Sequence, residues 1–195
     1  MRKLIGGMQI SLDGKIGGPD GYADWVGEWS DHYEVMPQVD ACLLGARMYP
    51  GYEQYWTAIH THPTEPAPMT GKLATPAEIE YARFTARTPH YVLSTTLSSV
   101  LWPQTSIVRT LAEVTALKAQ SGKDIYLVGG ARIVASLLDA GLIDELRLAV
   151  HPLIVGQGLA LFADVQRRRA LELRDVKQLE SGRVGLIYAV GQSAL

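Results

Sequence analysis

The segment Ile125-Tyr126-Leu127-Val128-Gly129-Gly130-Ala131-Arg132-Ile133-Val134 changes its period at two glycines, and this constrains the fold more than any other stretch. Ahead of the glycines lies a short apolar run of strand formers. Behind them Ile133, Val134, Leu137 and Leu138 recur at helical spacing, and Gly141 is placed as a C-terminal stop. A strand-to-helix corner of this kind aims unpaired helix N–H groups and the positive end of the dipole outward. Gly129 and Gly130 carry no side chain to hold an anion away, so a phosphate or pyrophosphate fits there. Paired glycines also serve simply to turn the chain tightly, and both readings stay open on this segment alone.

The rest of the chain repeats the pattern. Residues 3–10 read as a first strand, followed by a long polar loop, residues 11–25, that offers Asp13, Lys15, Asp24 and Trp25. Asp31 is expected to cap a short helix through Val35 and Met36, ending before Pro37. Residues 39–44 form the second strand, with Cys42 as a small core residue. At Gly45 a second corner opens an aromatic-rich helix over residues 47–56, with Arg47 in its first turn. A cation at that helix end is unfavourable unless an anion lies beside it; a surface Arg pointing into water is the other reading. Residues 60–72 form a proline-bearing surface loop. Thr75-Pro76-Ala77-Glu78 and Thr110-Leu111-Ala112-Glu113 each read as a capping box, starting helices that reach about Arg87 and Gln120. Strands are expected at residues 91–94, ending in the hydroxyls of Ser94, Thr95 and Thr96, and at residues 106–109. After Gly141 come a strand at 143–151, a glycine-rich loop at 153–158, and strands at 171–179 and 184–190 joined by a hairpin connection. Strand-helix units followed by an antiparallel end imply an α/β domain spanning residues 1–195, with a mixed, mostly parallel sheet and helices on both faces.

Strands of a parallel sheet share a carboxyl edge, and ligands of open α/β sheets bind in the crevice there. Gly45 with Arg47, Ser94 with Thr95 and Thr96, and Gly129 with Gly130 should therefore line one crevice. Two anion-accepting helix ends and a hydroxyl cluster suit a dinucleotide. No nucleophile elbow or Cys-His pairing appears, and hydride transfer needs none. Asp13 is a candidate to orient substrate or relay a proton, or else to hold an Asx turn with Gly14. Trp25 is a candidate to stack on a flat substrate or close the site, or else a loop anchor.

The ordered set Ser11-Leu12-Asp13-Gly14, Gly45-Ala46-Arg47-Met48-Tyr49, Val128-Gly129-Gly130 and His151-Pro152-Leu153-Ile154-Val155-Gly156-Gln157-Gly158, with Leu161-Phe162, resembles the dihydrofolate reductase-like superfamily. The branch it looks closest to contains the reductase domain of bifunctional riboflavin-biosynthesis proteins. The resemblance implies that superfamily's three-layer fold and an NADPH-dependent reductase, usually a homodimer, that passes a hydride to a heterocyclic or sugar-like substrate. It implies cofactor contacts at Gly45, Ala46, Arg47 and Met48, at Val128, Gly129, Gly130, Ala131, Arg132 and Ile133, and at Ser94, Thr95 and Thr96. Ile16 and Gly17 would lie beside the nicotinamide. The family often has Gly-Arg-x-Thr where this chain has Gly45-Ala46-Arg47-Met48, which leaves Arg47 as the replacement for the 2′-phosphate contact. In the riboflavin branch a Lys commonly stands four residues before the motif Ser; here that position is Gly7, which argues against the riboflavin intermediate as substrate. The alternative from another class is a catalytically idle nucleotide-binding or sensing protein on the same fold.

Composition excludes several other classes. The 195 residues are 47% hydrophobic and 19% charged with a formal net charge of −2, as expected of an ordinary globular protein. Arg167-Arg168-Arg169 lacks interleaved aromatics and reads as a solvated turn, so nucleic acid is not an expected partner. His60, His62 and Glu65 lack a further ligand at useful spacing, so no metal is expected. No segment approaches the roughly 18 apolar residues of a membrane span and no signal peptide is legible, which makes the cytoplasm the expected compartment.

Overall fold

The computed structural model describes residues 1–28 and 33–194, with 192–194 described by backbone alone. Its main sheet has eight strands in the order β5-β4-β3-β6-β1-β7-β10-β9. These are β1 (Leu4–Ser11), β3 (Val39–Gly45), β4 (His90–Leu93), β5 (Thr105–Val108), β6 (Asp124–Gly129), β7 (Glu145–His151), β9 (Arg169–Gln178) and β10 (Val184–Ala194). The first six pair in parallel, and β10 joins β7 and β9 antiparallel. The mixed sheet with its antiparallel C-terminal hairpin is the one expected from the sequence.

Side-chain alternation sorts the strands onto two cores. In β6, Ile125 and Leu127 join Leu4, Met8, Ala41 and Leu43 in a cluster covered by α3 (Leu111–Ala119) and α4 (Ala131–Asp139). Tyr126 and Val128 face the other way, with Ile5, Cys42 and Leu44, under α1 (Tyr49–Thr61) and α2 (Pro76–Arg87). Helices on both faces make three layers, and the continuous apolar runs of the central strands follow from burial on both sides. The α1–α2 side also buries polar groups. The Tyr52 hydroxyl lies 3.1 Å from that of Tyr81. His90 donates from Nδ1 to the Thr88 carbonyl at 2.7 Å, which leaves Nε2 to accept from the Tyr52 hydroxyl at 3.4 Å. Burial holds the His90 pKa down to about 4.

Several expected boundaries move. The helix after Gly45 starts at Tyr49, so Arg47 sits in the preceding turn rather than in the first helical turn; it runs on to Thr61, into what reads as a loop. Pro50 explains the start, since proline is favoured where a helix N–H has no partner anyway. Pro37 does not end a helix but lies inside a short 3-10 helix, Met36–Gln38, again near its start; the expected cap, Asp31, lies outside the described residues. The long loop after β1 contains a strand, β2 (Lys15–Gly17), which pairs antiparallel with β8 (Leu159–Ala160). Neither shows a period, because two or three residues are too few to display one.

Candidate functional site

The carboxyl ends of β3, β4, β5 and β6 are neighbours in register: Leu44 faces Gly129, Gly45 faces Leu93, and Leu93 faces Val108. The corners at Gly45 and Gly129 and the turn at Ser94 thus share one rim. Between β3 and β6 the connections diverge, since α1 leaves β3 toward one face and α4 leaves β6 toward the other. Such a divergence opens a crevice at the strand ends, where ligands of open α/β sheets bind.

The two corners touch. A Cβ on Gly45 would meet Ile133 Cγ2, in the first turn of α4, at 3.5 Å. Gly129 and Gly130 have φ of +131° and +103°, and a Cβ on Gly129 would lie 2.9 Å from Met8 Sδ, so both backbone angle and space demand glycine at 129. No side chain caps either helix here: α1 has Met48 and α4 has Gly130 at the N-cap, neither making a side-chain cap hydrogen bond. In α4 the first N–H bonded within the helix is that of Val134, to the Gly130 carbonyl at 3.1 Å. In α1 it is that of Tyr52, to the Met48 carbonyl at 3.0 Å, and Pro50 removes one donor. The N–H groups of Ala131, Arg132, Ile133, Tyr49 and Gly51 precede those bonds at the rim of the crevice.

Arg47 and Arg132 are exposed beside these ends. A third cation, Arg109, which follows directly on β5, is not among the residues that the sequence points to. Its Nη1 donates to the Ser94 carbonyl at 2.9 Å, placing the guanidinium on the rim next to Thr95 and Thr96. Among the described residues no carboxylate pairs with Arg47, Arg109 or Arg132. Ser94 is buried, and its Oγ accepts the N–H groups of Thr96 at 3.2 Å and Leu97 at 2.9 Å. It therefore shapes the turn, while Thr95 and Thr96 are exposed. Only the pairing of β4 with β5 brings Arg109 here, and no local pattern announces that.

At the other end of the crevice Ile16 packs against the α3–α4 core and Gly17 is buried. Asp13 is held by its neighbours: Ser11 Oγ donates to Oδ1 at 2.6 Å, and the N–H groups of Val155 and Gly156 donate to Oδ1 and Oδ2 at 3.0 and 2.8 Å. These bonds, that from Ser11 first, lower its pKa to about 2. The carboxylate is ionised at neutral pH. Trp25 is half-buried, and among the described residues its buried indole N–H has no partner. His151 donates from Nε2 to Gln9 Oε1 at 2.8 Å, and Gln9 Nε2 donates to the Glu28 carbonyl at 2.8 Å, tying the loop after β2 over the end of β1. Gln9 fixes this tautomer, because its own N–H₂ must face the carbonyl.

The model of one protein family, the RibD C-terminal domain, matches residues 2–184. The chain belongs to this family. It is also 31% identical over 193 residues to YyaP, an uncharacterized protein of Bacillus subtilis, covering 96% of this chain and 94% of that one. Among solved structures it resembles RibD of Acinetobacter baumannii with a TM-score of 0.67 at 17% identity, over 98% of this chain and 58% of that one. It also resembles the dihydrofolate reductase of Enterococcus faecalis complexed with NADP(H), with a TM-score of 0.59 at 14% identity, over 97% and 96% of the two chains. The fold of the RibD C-terminal domain is thus the dihydrofolate reductase-like one expected from the motifs. No helix of the described residues is long and apolar enough to cross a membrane.

Proposed function

We propose that this protein is an NADPH-dependent oxidoreductase acting on a small heterocyclic or sugar-like substrate. The observation that carries the reading is the pair of helix ends without side-chain caps, meeting at the divergence point between β3 and β6 with arginines around them that pair with no carboxylate among the described residues. Each such end acts as roughly half a positive charge, and the exposed guanidinium groups of Arg47, Arg109 and Arg132 add further positive charge at the rim. A dinucleotide pyrophosphate suits the bare backbone of Gly129 and Gly130, where no side chain stands between an anion and the first N–H groups of α4. It would be held by Gly45, Ala46 and Met48 on one side and by Val128 to Ile133 on the other. The adenosine phosphate would meet Arg47, Thr95, Thr96 and Arg109, over the turn shaped by Ser94. Its nicotinamide half would lie toward Ile16 and Gly17. When bound, that group supplies the hydride, and the chain's task is to hold the reacting partners in register and exclude water.

The substrate side supports a compound other than the riboflavin-branch intermediate. A Cβ on Gly7 would lie 2.9 Å from ring carbons of both Tyr33 and Tyr126, so a lysine there would have to displace two rings. Trp25 would offer an aromatic wall, and among the described residues its indole N–H has no partner. The test is NADPH oxidation against a panel of pterins, pyrimidines and sugar-like carbonyl compounds. Turnover with any one supports a reductase, and tight NADPH binding without turnover on the whole panel favours an idle binding protein.

We also propose a homodimer, on the observation that β9 and β10 expose Leu171, Leu173, Val176 and Val184 while Ile154 on the neighbouring loop is 73% exposed. A monomer mass by light scattering would overturn it.

A further inference from the structure

Asp13 lies at the centre of a clasp between two loops far apart in sequence. The Lys15 N–H donates to Ser11 Oγ at 2.9 Å, and Ser11 Oγ in turn donates to Asp13 Oδ1, which also accepts from Val155. Backbone bonds run in parallel, from the Leu12 N–H to the Leu153 carbonyl at 2.9 Å and from the Leu161 N–H to the Gly14 carbonyl at 3.0 Å. Gly158 and Gly17 interlock so closely that a Cβ on Gly158 would lie 2.3 Å from the Gly17 carbonyl oxygen. The turn after β1 and the loop after β7 therefore form one body. Among the described residues an ionised carboxylate is its only charged tie, and the β2–β8 pairing adds just two residues on the β8 side.

From this geometry we infer that Asp13 is a positioning residue, which clasps the turn carrying Ile16 and Gly17 and thereby sets the nicotinamide half of the site without touching the adenosine half. The inference rests on the dinucleotide reading above. A dinucleotide seated between β3 and β6 has two directions in which to run. One passes over β4 and β5, to Thr95 and Arg109. The other passes over β6 to β1, whose end leads straight into the clasped turn. Asp13 acts through Ser11 and the backbone of Lys15, so its loss should loosen one half of the site and leave the other intact. A carboxylate already bound by three donors and ionised across the neutral range has no proton to give, so its role is geometric.

The experiment compares NADPH with 2′,5′-ADP, which keeps the adenosine phosphates and lacks the nicotinamide. Calorimetry on the wild-type protein, Asp13→Asn, Asp13→Ala and Ser11→Ala reads both affinities, and the fluorescence of bound NADPH reports how firmly the ring is held. For Asp13→Ala the expected result is about a tenfold loss in NADPH affinity with 2′,5′-ADP changed by less than about twofold, together with a weaker fluorescence enhancement. Asp13→Asn should fall between, because its amide oxygen still accepts one N–H, and Ser11→Ala should shift NADPH in the same direction. Equal losses for both ligands, or no loss for either, would overturn the inference while leaving the dinucleotide reading in place. A wild-type protein that binds neither ligand would overturn both.

Discussion

Two pairs of helices in this domain begin in opposite ways. The α2 helix is closed by its own residues: Thr75 Oγ1 accepts the Glu78 N–H at 3.1 Å and Glu78 accepts the Thr75 N–H at 3.0 Å. The α3 helix is closed similarly, with Thr110 accepting the Glu113 N–H, although the Glu113 carboxylate reaches back to the N–H of Arg109 instead of that of Thr110. The α1 and α4 helices carry no side-chain cap. A cap contributes about 1 kcal/mol, so two bare ends at one place forgo stability that the same chain secures elsewhere. The difference sets the two bare ends apart: they stand at the divergence point of the sheet with arginines beside them, which is why the reading proposed above gives them to the cofactor.

The largest effect sharpens the comparison by acting on the packed side alone. His90 has its pKa lowered from 6.5 to about 4, so the unfolded chain binds more protons between those values. Its contribution to stability is complete above pH 6.5 and falls as the pH drops toward 4, by on the order of 3 kcal/mol. Chemical denaturation from pH 7 to 4 should show this decline, and it should persist with NADPH bound. The next test closes an open end: Met48→Asp places a carboxylate at the N-cap of α1, where α2 carries its threonine and where φ is −81°, and should lower NADPH affinity by about 100-fold in calorimetry. Retained affinity would break the comparison. A smaller effect should follow from Arg109→Ala, which is expected to weaken NADPH about tenfold more than NADH, with Arg47→Ala acting in the same direction. Equal losses would show that neither arginine reads the extra phosphate. Smallest of all, Thr75→Ala should cost about 1 kcal/mol and lower Tm by about 2–4 °C without changing NADPH affinity.

The corners themselves were legible in the sequence, because a switch from strand to helix period at Gly129-Gly130 and again at Gly45 is a local signal. The shared rim was legible too, since parallel strands must place their carboxyl ends together. What escaped was set by contacts between distant segments. Arg109 reaches Ser94 only because β5 lies beside β4. The clasp of Asp13 joins loops 142 residues apart, and a carboxylate bound by backbone N–H groups looks, in sequence, like any acidic residue in a glycine-rich turn. The start of α1 at Tyr49 is not legible locally, because the aromatic run after Gly45 suggests helix at once, whereas Pro50 fixes the beginning.

Backbone amide spectra with and without NADPH test the central claim most directly. The first-turn N–H groups of α1 and α4, those of Tyr49, Gly51, Ala131, Arg132 and Ile133, should shift strongly and gain protection from exchange. The first-turn amides of α2 and α3, including those of Glu78 and Glu113, should stay where they are. Shifts confined to α2 and α3, or spread evenly over all four helices, would contradict the account.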